Sequence, residues 1–284
     1  MSSRIMEIPL QVDDLMDASE LRKKYLQLYG INKDIFDSVN YAATIQQALL
    51  PQLRHFERIF NEYFIIYQPK NIIGGDFYWI AQKNDWSVFA LADCTGHGVS
   101  GAMLSVLGIS YLNYIVFGKD YDNLGKILEK IDKKRIEAFH MFTEQEVNND
   151  WMEISLAAFN NKTRELRFSG ARGKIIIVNT QGMHILKGHN YPVGGWQIEK
   201  NRIYIEQKIF LPENSMVYLT SDGFQDQFGG SRNKKFTIKK LYQFLANIYS
   251  LPVDVQKIFL TTEFSEWKNA NKQTDDVCLL GIRL

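Results

Sequence analysis

Residues 91–101, Leu91-Ala-Asp-Cys-Thr-Gly-His-Gly-Val-Ser-Gly101, join an apolar run, Trp86 to Ala92, to a helical pattern. That pattern starts near Val99 and carries Met103, Leu104, Leu107, Ile109 and Leu112. A short apolar run that breaks into glycines reads as a buried strand. Asp93 therefore stands at the carboxyl end of a strand, where crevices form. Gly96 and Gly98 let the main chain come close to whatever the carboxylate holds. The helix start behind them offers unpaired N–H groups and a positive dipole end to an anion. A carboxylate beside such a turn suits a metal and a phosphate together. Taken alone, the stretch reads more simply as a strand-to-helix turn whose Asp caps backbone amides.

Three further turns of the same kind change that balance. Ile73-Gly-Gly-Asp76-Phe-Tyr lies between apolar runs, Val217-Tyr-Leu-Thr-Ser-Asp222-Gly ends one, and Gln273-Thr-Asp275-Asp276-Val-Cys-Leu-Leu opens the last. Each places an Asp at a strand edge beside a Gly or a second Asp. Hard divalent cations select oxygen ligands, and two of them held close together need several carboxylates converging from different loops.

In order, GGDFYW (74–79), ADCTGHGVSGAMLS (92–105), LTSDGFQDQFGG (219–230) and QTDDVCLLGIRL (273–284) resemble the signature blocks of the PPM-type metal-dependent Ser/Thr phosphatases. The resemblance is to the bacterial branch named after sporulation protein E (SpoIIE) and runs from about Phe60 to the C-terminus. The segment Ser38 to Pro51 is similar to the helix that leads into such domains in multidomain sensors. The fold implied is α+β, two antiparallel β-sheets sandwiched between pairs of α-helices, with an N-terminal helical extension over 1–54 and the phosphatase domain over 55–284.

The resemblance also implies site roles. Asp93 bridges two Mn²⁺ or Mg²⁺ ions, the backbone carbonyl of Cys94 is a neighbouring ligand, and Asp76, Asp222 and Asp275 complete the set. Asp276 is a second-layer or third-metal residue. Asp93 and Asp222 act in catalysis through a metal-activated water. Gly96, His97 and Gly98 are candidates for phosphate or substrate binding. The implied substrate is a phosphorylated bacterial regulatory protein, such as an anti-sigma-factor antagonist. The alternative is a catalytically weak phosphatase-fold module that binds a partner or transmits a signal. Four converging carboxylates, which repel one another without metal, speak against a pure scaffold.

The remaining residues fill in the picture. With 33 basic and 32 acidic side chains the net charge is +1, which argues against nucleic acid or an anionic membrane surface as the partner. A 45% apolar and 13% aromatic composition excludes general disorder. Two cysteines, Cys94 and Cys278, are too few for a disulfide framework and read as small buried residues of a cytoplasmic protein. No signal peptide or run of membrane-spanning length is read.

Residues 1–12 show no period, and a helical pattern runs from Asp13 to about Leu53 with Gly30 as its one breaker. Ile35, Val39, Ala42, Leu49 and Leu53 follow 4-3 spacing with Gln46 in the polar seam position. A self-associating or sensor-docking helix and a helix packed on its own domain fit this equally.

Gly-Gly-Asp-Phe also looks like the GGDEF signature of diguanylate cyclases, but Phe77 stands where a second acid is needed. His97 falls four residues after Asp93, among glycines, and reads as a loop histidine rather than a general acid. Lys70 and Arg172 read as solvated charges more readily than as phosphate ligands. Two positions depart from the family's usual pattern: Asp150-Trp-Met-Glu153 stands for Asp-Gly-Met-Asp, and Arg172 for an Asn after Ser-Gly-Ala.

Overall fold

The computed structural model describes residues 18–118, 123–140, 150–195 and 201–284. The expectations for residues 1–17 lie outside these. The chain divides into two units, Met1–Ala42 and Ala43–Leu284.

Helix α1 (Ala18–Leu49) crosses that division, and Gly30 does not break it. One glycine costs a helix interior only about 1 kcal/mol relative to Ala, too little to end a run of 32 residues. Within the first unit Leu21, Tyr25, Leu28 and Ile35 are exposed. The last turns of α1 belong to the second unit, where Ala43, Gln46 and Leu50 are buried. These three side chains are built into the larger unit.

That unit continues with α2 (Leu53–Glu57), β1 (Tyr63–Gln68), β2 (Phe77–Lys83), β3 (Trp86–Cys94), α3 (Val99–Val116) and α4 (Leu124–His140). Next come β4 (Trp151–Asn160), β5 (Glu165–Ala171), β6 (Lys174–Asn179), β7 (Gly182–Lys187), β8 (Val193–Gly194) and β9 (Gln207–Phe210). The chain closes with β10 (Met216–Thr220), α5 (Gly223–Asp226), β11 (Phe228–Gly229), β12 (Lys234–Lys235), α6 (Ile238–Ile248), α7 (Val253–Lys268) and β13 (Val277–Arg283).

One sheet runs β1-β13-β10-β6-β7; the other runs β2-β3-β4-β5-β9 with β8 on β4, and all these pairs are antiparallel. The inner faces meet in a core of Phe89, Phe159, Phe168, Ile175, Ile177, Val217, Leu219 and Leu280. A second core packs the outer face of the β2–β9 sheet under α3 and α4, through Leu112, Ile127, Leu128 and Ile131. A third packs the other sheet under α6 and α7, through Leu241, Leu245, Leu260 and Phe264. The order is helices, sheet, sheet, helices, as the α+β reading required.

The sequence of residues 202–210 suits a strand throughout, but only Gln207–Phe210 pairs. Arg202 and Tyr204 alternate inward like strand residues, yet Arg202 Nη1 donates to the carbonyls of Pro192 (2.8 Å) and Gly194 (2.6 Å) instead of the segment joining a ladder. In addition, α3 is long and apolar enough to cross a membrane by length and composition. Half of it is buried within the larger unit, with Leu104, Ile109, Leu112 and Val116 in the core against the sheet and α4.

Candidate active site

The four acidic turns meet because antiparallel pairing brings the start of one strand beside the end of its neighbour. Phe77 pairs with Ala92, so Asp76 and Asp93 lie at one end of the β2–β3 pair. Thr220 pairs with Leu279, so Asp222 follows β10 where Asp275 and Asp276 precede β13. Ser221 ties that second junction: its N–H donates to Cys278 O (2.9 Å), and its Oγ accepts from Cys278 N (3.0 Å).

The electrostatics register this convergence. Asp93 is pushed up to about 8, first by burial and then by Asp222, Asp275, Glu153 and Asp276. Burial followed by the Asp93 charge holds Asp76 well above the usual carboxylate range. Asp222 is raised by burial, then by Asp275 and Asp226. Like charges in a desolvated pocket disfavour ionisation, and a divalent cation reverses that preference.

Asp76 is 2% exposed, the nearby Ser221 side chain only partly offsets the upward shift, and Asp76 Oδ2 has no hydrogen-bond partner. A buried, unpartnered carboxylate oxygen needs an explanation; a hard cation supplies one, and the surrounding donors are the oxygens such a cation selects. Among the described residues, no group of three or more His, Cys, Asp or Glu side chains is placed so as to hold a metal ion without some rearrangement. The carboxylates are neighbours, and Asp275 Oδ1 accepts from Asp276 N at 2.9 Å.

Asp276 does something different from the others. Its Oδ1 accepts from Lys70 N (2.7 Å) and its Oδ2 from Gly75 N (2.6 Å). Both oxygens are engaged by the loop that carries Asp76. A Cβ on Gly74 would collide with this carboxylate, and one on Gly75 with the carbonyls of Cys94 and Gly96, so both glycines are required by close approach. From the other side Gln46 Nε2 donates to Gly74 O (2.7 Å) and to Ser105 Oγ (2.7 Å). The seam position that looked polar in the sequence is therefore a brace on the Gly-Gly-Asp turn.

Beside Asp93 and Asp222 lies a cavity of about 210 Å³, also lined by Glu153, Ser155, Arg172, Lys174 and Gln225. Asp93 pairs with Glu153 across β3 and β4. Glu153 is raised by burial and then by Asp222, while Arg172, 3.7 Å away, opposes the shift. Lys174 is lowered by burial, against the pull of Glu153 and Asp222. The sequence reading missed Lys174, Ser155 and Gln225; Lys174 follows the Ser-Gly-Ala-Arg-Gly turn directly, the one local signal that pointed there. Arg172 has φ 54, in the left-handed region. Asn tolerates that region better than Arg.

Gly96, His97 and Gly98 do not line this cavity. Gly96 and Gly98 have φ 86 and 69, and Gly98 caps α3. His97 is exposed, with Nδ1 3.3 Å from Asn71 Nδ2. His97→Ala is expected to lower turnover about tenfold or less, whereas loss of a general acid removes about 10²–10⁴-fold. Steady-state rates on a folded variant check this, and a loss in the larger range would make His97 an acid.

The family described as Stage II sporulation protein E (SpoIIE) matches residues 84–284. The SiaA-PP2C domain of Pseudomonas aeruginosa is 26% identical, with TM-score 0.79 over 89% of this chain and 98% of that one. The PP2C phosphatase domain of the cell fate determinant SpoIIE from Bacillus subtilis, with a fragment of its regulatory domain, is 15% identical, with TM-score 0.63 over 78% and 63%. RsbX in complex with magnesium is 12% identical, with TM-score 0.54 over 78% and 94%. No curated protein matches the chain.

Proposed function

Because the chain belongs to the SpoIIE family and is a PP2C-type phosphoprotein phosphatase, we propose that it removes phosphate from phosphoserine or phosphothreonine on a bacterial regulatory protein, such as an anti-sigma-factor antagonist, in the cytoplasm. The observation that carries this reading is the convergence of Asp76, Asp93 and Asp222 at one end of both sheets, beside a cavity with two cationic side chains.

Asp93, the Cys94 carbonyl, Asp222 and Asp275 would hold two or three Mn²⁺ or Mg²⁺ ions, and Asp76 would contribute its unpartnered oxygen. When bound, such ions supply an activated water and neutralise charge on the phosphoryl oxygens. The chain's own residues do the rest. Asp276 and Gln46 hold the Gly-Gly-Asp loop from opposite sides, and Glu153 steers Arg172. The magnesium bound to RsbX supports the choice of a hard cation. Chelator-treated protein is expected to release phosphate from a phosphoserine peptide only after Mn²⁺ or Mg²⁺ is restored. A folded protein inert under every metal condition would favour the partner-binding module.

The first unit is proposed to pair with a second copy or with a sensor helix. Leu21, Tyr25, Leu28, Asn32, Ile35, Val39 and Ala42 keep 4-3 spacing, and the apolar members Leu21, Tyr25, Leu28 and Ile35 are exposed. Deleting residues 1–42 leaves Gln46 and Leu50 in place and is expected to change either the molar mass in light scattering or the turnover rate. If both stay unchanged, the helix is an inert extension.

A further inference from the structure

The cavity beside Asp93 and Asp222 has a cationic wall that the metal-holding aspartates do not explain. Lys174 opens β6, and its main chain is clamped by Ser155, whose Oγ donates to Lys174 O (2.9 Å) and accepts from Lys174 N (2.9 Å). Gly173 before it lies flat on β4, where a side chain would collide with Ile154 O and Ser155 Oγ. The Lys174 backbone is thereby fixed to the strand that carries Glu153, the register partner of Asp93. Its half-buried ammonium donates to Gln225 Oε1 (3.2 Å) on α5, three residues past Asp222. Among the described residues no carboxylate lies within ion-pair distance of Nζ. Arg172 is occupied by contrast: Nε donates to Asn190 O (3.0 Å), Nη1 is 3.7 Å from Glu153, and the guanidinium covers the Trp151 ring at 4.8 Å.

A desolvated ammonium held only by a neutral amide lacks a charged partner. A phosphoryl group entering the cavity brings one, and a compact ammonium binds phosphate as a point charge. We propose that Lys174 is a phosphoryl ligand, its Nζ donating to a non-bridging oxygen on the side of the group away from the aspartates. This rests on reading the cavity as the phosphatase site. Gln225 and the Ser155 clamp aim the ammonium, which keeps its proton throughout. Charge already placed where charge develops needs no rearrangement during the reaction.

The test measures binding of inorganic phosphate to the Mn²⁺-loaded protein by calorimetry, its competitive inhibition constant, and kcat/KM on p-nitrophenyl phosphate. Lys174→Met and Lys174→Gln, the latter keeping a polar end for Gln225, are compared with Arg172→Ala. Loss of a hydrogen bond between charged groups is expected to weaken phosphate about tenfold or more and to lower kcat/KM by at least as much. Mn²⁺ affinity is expected to hold or rise, because no oxygen ligand is removed. Arg172→Ala is expected to change phosphate affinity less. Lys174 variants that bind phosphate within about twofold of wild type, or a larger loss in Arg172→Ala than in either, overturn the assignment. A Lys174 variant that loses Mn²⁺ binding along with phosphate assigns the residue to the metal site instead. If wild type binds Mn²⁺ but neither binds phosphate nor hydrolyses the ester, the phosphatase reading falls with it.

Discussion

Asp93→Asn, Asp222→Asn and Asp275→Asn are each expected to lower metal-dependent phosphate release by more than about 100-fold. Losing a group that merely orients a metal ligand costs about 10–100-fold, and these changes remove a ligand itself. The fold is expected to survive, with a metal-free thermal midpoint at or above wild type, because each substitution relieves repulsion among partly buried carboxylates. Mn²⁺ is expected to add little stability to the variants, since ligand stabilisation scales with affinity for the native state.

The pH dependence follows with a definite sign. In the native state Asp93 titrates near 8, above its ordinary 3.8. Between these values the folded protein holds a proton that the unfolded chain has lost. Metal-free stability is therefore highest below the ordinary value and declines as pH rises toward about 8. Asp93→Asn is expected to flatten that decline, as followed by thermal melts from pH 5 to 8. Asp226→Asn is the control: its carboxylate pairs with Lys235 at 2.7 Å at a partly exposed site, and such pairs contribute about 1 kcal/mol or less. A metal-free midpoint for Asp93→Asn well below wild type would show that its charge is compensated by something other than a cation.

Asp276 is expected to behave in the opposite sense. It is 3% exposed, and its two oxygens satisfy the amides of Lys70 and Gly75. Asp276→Ala leaves these donors without their acceptor, at about 1–3 kcal/mol for a buried group, so a loss of about 2–4 kcal/mol is expected in urea unfolding of the metal-free protein. Asp276→Asn keeps one acceptor but turns an NH₂ toward the other amide, so it too is expected to destabilise. Turnover falls with either, because the Gly-Gly-Asp loop loses its anchor. If Asp276→Asn instead raises the metal-free midpoint as Asp93→Asn does, Asp276 belongs with the metal-holding set.

The resemblance set Asp276 apart from Asp275 as a second-layer or third-metal residue, but its hold on the Lys70 and Gly75 amides was not legible in the sequence. Thr-Asp-Asp marks two carboxylates at a strand edge, yet which one turns to the loop depends on how residues 70–75 pass over them. The strand ends themselves were legible, since Trp86–Cys94 and Val277–Arg283 are continuous apolar runs broken by acidic, glycine-bearing turns. Antiparallel pairing then placed the turns together without further information. The cationic wall was hidden because Lys174 and Arg172 owe their position to the left-handed turn at Arg172 and the close packing at Gly173. Gln46 was misleading in the other direction. Its 4-3 spacing assigned it to a helix seam, while two hydrogen bonds from its amide direct it into the catalytic unit.

The most direct measurement is a calorimetric titration of chelator-treated wild type and Asp93→Asn with Mn²⁺, run beside phosphate release from a phosphoserine peptide. The expected result is two Mn²⁺ per wild-type chain with metal-dependent turnover, and loss of both in a folded Asp93→Asn. An Asp93→Asn protein that still binds two Mn²⁺ and hydrolyses the peptide near the wild-type rate would contradict the placement of the metal centre on Asp93.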